Sequence, residues 1–210
     1  MSHRPLRLYV DSLFTSPYAM SVFVALREKG LAFETVPLDL DAGRHQAADY
    51  ARLSLTRRVP ALEEGEFSLS ESSAITEYLD EAYPATSVYP VDLQQRARAR
   101  QVQAWLRSDL LPIRQERSTL VVFCGKKMPP LSAVADAAAG RLISVAHALL
   151  GDGREYLFGS WSIADVDLAV MLNRLILNGD AVPAVLAAYA GRQWQRPSVQ
   201  AWVNQPRPGV

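Results

Sequence analysis

Apolar and polar positions alternate over Leu6-Arg7-Leu8-Tyr9-Val10, which predicts a strand with Leu6, Leu8 and Val10 on one face. After Asp11 to Thr15 the period changes at Ser16-Pro17. Serine as N-cap and proline at the first helical position start a helix. Val22, Phe23, Ala25 and Leu26 keep helical spacing until Gly30 stops it after Lys29. Phe33 to Val36 predicts a second strand, and the polar stretch Asp39 to Leu55 a short helix around His45 to Leu53. Ala61 to Glu64, then Gly65, then Glu66 to Leu69 predict a tight hairpin. A helix follows from Ser72, its stripe formed by Ala74, Ile75, Tyr78, Leu79 and Ala82. The order β-α-β-α-β-β-α joins the first two strands by a helix, so they should lie parallel with a right-handed crossover.

Tyr83-Pro84-Ala85-Thr86-Ser87 and Tyr89-Pro90 break this pattern. They predict a first domain over residues 1–84, a linker over 85–93 and an all-helical second domain over 94–210. One long helix is expected from Leu93 to Arg117, with Val102, Trp105, Leu106 and Leu110 as its stripe and Pro112 as a kink. An alanine-rich helix spans Leu131 to Leu150. Ser162-Ile163-Ala164-Asp165 is a capping box, with Trp161 and Val166 placed as a hydrophobic staple. The helix it opens, through Ile176, is apolar nearly all round and should be the buried centre of its domain. Arg196 to Trp202 predicts a short last helix.

Composition adds exclusions. The chain has 210 residues, with 22 Lys+Arg against 22 Asp+Glu, so charge draws it to neither nucleic acid nor anionic lipid. Cys124 is the sole cysteine, which excludes an internal disulfide and fits a reducing compartment. The N-terminal residues lack an apolar signal region, and no apolar run looks long enough to span a bilayer, so a cytoplasmic location is expected. His3, His45 and His147 show no ligand spacing, so no metal is expected.

Two stretches carry candidate chemistry. In Arg57-Arg58-Val59-Pro60, a cis proline would shape a turn that leaves the Val59 N–H and C=O able to pair with an extended peptide. Glu71-Ser72 stands at a helix N-terminus, where spare N–H donors hold a carboxylate, while the Glu71 carboxylate could hold an amino group. Together they would clamp a small zwitterionic peptide. The plain alternative is a hairpin followed by an ordinary capped helix.

Ser16-Pro17 after strand one, Arg58-Val59-Pro60 before strand three, Glu71-Ser72, the box at Ser162 to Asp165 and Arg196-Pro197-Ser198-Val199 stand in one order. In that order the chain resembles the cytosolic glutathione S-transferases, most closely the bacterial serine-type (theta- and zeta-like) members. The resemblance implies a thioredoxin-like N-terminal domain, an all-helical C-terminal domain, glutathione as co-substrate, a hydrophobic electrophile in the cleft between them, and a homodimer. It assigns the catalytic hydroxyl to Ser16. It assigns glutathione contacts to Val59, Glu71 and Ser72, with His45 and Arg58 near the glycyl end. Tyr9 and Tyr18 are the alternative hydroxyls, and Ser16 also reads as a plain helix cap. Serine in place of cysteine argues against thiol–disulfide exchange by the protein, and Cys124 reads as a packed small residue. Leu13 and Phe14 should help wall the cleft. Asp109, Gln115 and Arg117 are weaker acceptor-site candidates, the last two reading better as a solvated helix end. Trp105 and Trp194 could line the cleft or fill a core, and for Trp105 the core is the expectation. The expected reaction is conjugation or glutathione-dependent peroxide reduction. A zeta-like isomerase, a dehalogenase and a non-catalytic adaptor of the same fold are the alternatives.

Overall fold

The computed structural model describes residues 5–207 and divides into two compact units, Met1–Val88 with Ala201–Val210, and Tyr89–Gln200. His3 lies outside the described residues.

The first unit contains β1 (Leu6–Asp11), α1 (Pro17–Glu28), β2 (Phe33–Leu38), a short 3-10 turn (Arg44–Gln46), α2 (Ala48–Leu53), β3 (Ala61–Glu64), β4 (Phe67–Ser70) and α3 (Ser72–Ala82). The four strands lie in the order β2-β1-β3-β4. β1 and β2 are parallel, and the other pairs are antiparallel. β2 extends past the expected Val36 and through Pro37; as an edge strand it can accommodate a residue without an N–H. Alternation buries Leu6, Leu8 and Val10 of β1 on the side of α1, which contributes Met20 and Val24, while α3 packs on α1, β3 and β4 with Ile75 and Leu79 buried. Lys29 at the end of α1 reaches Asp80 of α3 (3.5 Å) and the Thr86 carbonyl. Burial lowers the Lys29 pKa, and Asp80 opposes the shift.

The second unit is helical: α4 (Leu93–Ser108), α5 (Leu111–Glu116), α6 (Thr119–Cys124), α7 (Ala133–Leu150), α8 (Ile163–Ile176) and α9 (Ala184–Trp194). α10 (Pro197–Val203) crosses the division between the units. α8 is buried along almost its whole length and packs on α4 and α9. Its capping box forms as expected, with the Ser162 N–H donating to Asp165 at 2.8 Å. The same carboxylate also accepts from the Leu157 N–H and the Tyr189 hydroxyl, both at 2.8 Å.

The single helix expected from Leu93 to Arg117 is instead broken. α4 ends at Ser108, and Pro112 sits in the first turn of α5, where its missing N–H costs nothing. Arg114 donates to the Leu106 and Arg107 carbonyls, both at 2.8 Å, supplying partners that the α4 end lacks. Arg117 ends α5, and its buried side chain pairs with Asp180 (2.6 and 2.7 Å); the expected solvated helix end does not form here. α7 also overturns an expectation. Its 18 residues, of mean hydropathy 1.4, are long and apolar enough to cross a membrane by length and composition. Its Ala135, Ala138, Leu142 and Ala146 stripe is buried in this unit, against α5 and α9.

Candidate functional site

Strand direction brings four loops to one end of the sheet. β1 and β2 finish there, with Asp11 opposite Leu38. β3 begins there, with Ala61 opposite Tyr9, and β4 finishes there, with Ser70 opposite Ala61. The loops bearing Ser16, His45, Val59 and Glu71-Ser72 therefore share that end. Among the described residues, the three non-glycine positions with positive φ lie in these loops: Phe14 (51°), Arg57 (51°) and Glu71 (74°). Such conformations cost about 1–3 kcal/mol each and cluster where function constrains the backbone.

Ser16 caps α1, its Oγ accepting from the Ala19 N–H at 3.2 Å. Its own N–H donates to Asp11 Oδ1 at 2.9 Å. Asp11, buried, also accepts the Thr15 N–H (2.6 Å) and the Thr15 hydroxyl (2.9 Å). The Thr15 proton is thus committed to a carboxylate, whereas the Ser16 oxygen is engaged as an acceptor and keeps its proton for donation at the positive end of α1. Asp11 and Thr15 were not singled out in the sequence. An Asp shortly ahead of a Ser-Pro helix start, able to accept local backbone N–H groups, is the signal that could have found them.

The Val59–Pro60 bond is cis. The preceding backbone is pinned: the Arg58 carbonyl accepts from Tyr50 Oη (2.8 Å) and Ser54 Oγ (3.0 Å), and the Arg58 N–H donates to Ser54 Oγ at 3.2 Å. Among the described residues no protein group pairs with the Val59 N–H or C=O. The Arg58 residue is exposed. Glu71 is the N-cap of α3 without a side-chain cap bond, so its exposed carboxylate is not spent on the helix, while Ser72 is buried. His45 lies in the 3-10 turn with Nδ1 buried and lacking a protein partner among the described residues. A zwitterion with an extended backbone fits this donor and acceptor set.

The alternative hydroxyls stand differently. Tyr9 donates to Glu63 at 2.7 Å, and burial, with Glu63 beside it, pushes its pKa up to about 12, so its proton is committed. Tyr18 is half-buried in the first turn of α1. In the second unit, Trp105 does not fill the core as expected. It lines a groove of about 810 Å³ with Val102, Val145, Leu149, Leu157 and Phe158. Asp109 and Gln115 are exposed, and Trp194 stacks on Phe123 at 6.1 Å. Cys124 is half-exposed at the end of α6. Among the described residues no group of three or more His, Cys, Asp or Glu side chains is placed to hold a metal ion.

The family description "Glutathione S-transferase, N-terminal domain" matches residues 5–81, and "Glutathione S-transferase, C-terminal domain" matches residues 92–206. Mouse glutathione S-transferase theta-3 is 35% identical over 130 residues, 60% of this chain and 53% of that protein. Maleylacetoacetate isomerase of Pseudomonas aeruginosa is 39% identical over 112 residues, 51% of each chain. The chain spans about half the length of these curated relatives. A glutathione transferase homolog from Burkholderia, solved with bound glutathione, superimposes with a TM-score of 0.80 at 48% identity, covering 95% of this chain and 97% of that one.

Proposed function

The chain belongs to the glutathione S-transferase family, and from that membership we propose that it is a glutathione transferase whose Ser16 hydroxyl stabilises the glutathione thiolate. The observation that carries this reading is the gathering of Ser16, the unpaired Val59 backbone and Glu71-Ser72 at one end of the sheet. A thiol of pKa about 8.5 is mostly protonated at neutral pH, and the thiolate is the nucleophile. A hydrogen bond to a charged group is worth roughly 1.5–3 kcal/mol, or about one to two pKa units. The Ser16 O–H and the α1 N-terminus supply that stabilisation. Val59 pairs with the cysteinyl backbone, Glu71 holds the γ-glutamyl amino group, and Ser72 with the α3 N-terminus holds its carboxylate. His45 and Arg58 face the glycyl end. The sulfur then attacks a hydrophobic electrophile, forming a C–S bond as the leaving group departs with its electron pair. The same thiolate can attack a hydroperoxide oxygen, giving a sulfenic acid and an alcohol, with a second glutathione as reductant. A homodimer in a reducing, cytoplasmic setting completes the reading.

The test is a pH titration of bound glutathione by thiolate ultraviolet absorbance, for the native protein and Ser16→Ala. A midpoint well below that of free glutathione, largely lost in Ser16→Ala, is expected. Equal midpoints would reduce Ser16 to a helix cap. The Pseudomonas aeruginosa relative favours one second reading, isomerisation of a maleyl keto acid, and absence of turnover on that substrate removes it.

A further inference from the structure

Phe14 is held by three handles. Its N–H donates to the Asp11 carbonyl at 3.0 Å. Its carbonyl accepts from Arg207 Nη2 at 3.1 Å. Its ring meets Trp202 edge-on at 5.4 Å. Two of the three come from the C-terminal segment, 193 residues away in the case of Arg207. Trp202 is fully buried, also touching Phe23 of α1 at 5.3 Å. The Arg207 guanidinium closes the end of α10, where Nη1 donates to the Val203 (2.6 Å) and Gln205 (2.9 Å) carbonyls and Nη2 also to the Trp202 carbonyl (3.1 Å). A cation at a helix C-terminus is favourably placed. Here it bridges that terminus to the loop ahead of Ser16.

A non-glycine residue keeps a positive φ only when its surroundings over-determine it. At Phe14, two residues before Ser16, the C-terminal segment supplies the greater part of that determination. We propose that Arg207 is a positioning residue for Ser16, with Trp202 as its apolar support: together they fix Phe14 and so aim the serine hydroxyl. This rests on the reading of Ser16 as the thiolate's donor. A displacement of about 1 Å in such a group can cost up to roughly 10²-fold in rate.

The experiment compares native protein, Arg207→Met, which keeps the stem and loses the donors, and Arg207→Lys, which keeps the charge. Two readouts are taken: the pH midpoint of bound glutathione, and hydrogen exchange of the Thr15 and Ser16 amides, which donate to Asp11. Arg207→Met is expected to raise the midpoint, to lower kcat/KM for glutathione and 1-chloro-2,4-dinitrobenzene roughly tenfold at neutral pH, and to speed exchange at both amides. Arg207→Lys should recover part of each loss. An unchanged midpoint with unchanged exchange overturns the proposal. So does faster exchange or a lower melting temperature with an unchanged midpoint, which would make Arg207 merely structural. If native protein fails to bind glutathione while Arg207→Met still deprotects both amides, the glutathione reading falls and the hold of Arg207 on the Ser16 loop stands.

Discussion

Asp11 accepts the Ser16 N–H at 2.9 Å and is itself buried, so the residue that ends β1 fixes the residue that caps α1. Three donors converge on this one carboxylate, two from Thr15 and one from Ser16. Asp11→Ala strips them all and leaves two part-buried N–H groups without their carboxylate, at about 1–3 kcal/mol. Asp11→Ala should therefore lower the urea midpoint and reduce kcat/KM by more than its stability loss explains. Asp11→Asn, which keeps an acceptor oxygen, should be milder on both. Full activity in Asp11→Ala would show that the loop holds its shape without the carboxylate.

Thr15 and Ser16 are adjacent hydroxyls with opposite engagements. Thr15 donates to Asp11, while Ser16 accepts from Ala19. Thr15→Val should cost stability and leave the glutathione thiolate midpoint near native. Ser16→Ala should raise that midpoint by about one to two units and, as a lost N-cap, destabilise by about 1 kcal/mol. The reverse pattern in the titrations would move the donor role to Thr15.

The Arg117–Asp180 pair sets a pH dependence in the second unit. The Arg117 hydrogen bond holds the Asp180 carboxyl below its ordinary value, and Arg117 is raised in return. A depressed carboxylate stabilises the fold above its unfolded pKa, and this contribution is lost as pH falls through the folded value. Native protein should thus exceed Asp180→Asn in stability at neutral pH, and the gap should close as pH drops below about 4. Asp180→Ala takes the carboxylate from a buried guanidinium that keeps only its Nη1 bond to the Glu116 carbonyl, at up to about 3–5 kcal/mol. Replacing both partners with apolar residues should recover most of that. A pH-independent gap would assign the stability to packing.

The order of the first unit was readable because its strands alternate and its helices carry local start signals, Ser16-Pro17 and Glu71-Ser72. The capping box at Ser162 was readable for the same reason. The break near Leu110 was not, because Leu106, Leu110 and Ile113 keep helical spacing across it, and a first-turn proline is compatible with either outcome. α9 was missed where alanines dilute the stripe of Leu186, Tyr189 and Ala190. Tyr9 looked like a candidate donor until strand pairing supplied Glu63. Arg207 meeting Phe14 is a product of tertiary folding alone, and no local pattern records it.

Glu71 joins strain to function. Its φ of 74° is unfavourable for a residue with a Cβ, and its carboxylate makes no cap bond to α3. Glycine adopts that conformation freely, removing about 1–3 kcal/mol of strain against roughly 0.5–1 kcal/mol of added unfolded-chain entropy. Glu71→Gly should therefore be more stable than native by about 1 kcal/mol while its KM for glutathione rises at least tenfold, the amino group having lost its partner. Glu71→Gln, which keeps the Cβ and the strain, should match native stability and share most of the KM defect. Chemical denaturation and steady-state kinetics on the two variants separate backbone from charge. A less stable Glu71→Gly with unaltered KM would leave the positive φ without a functional reason.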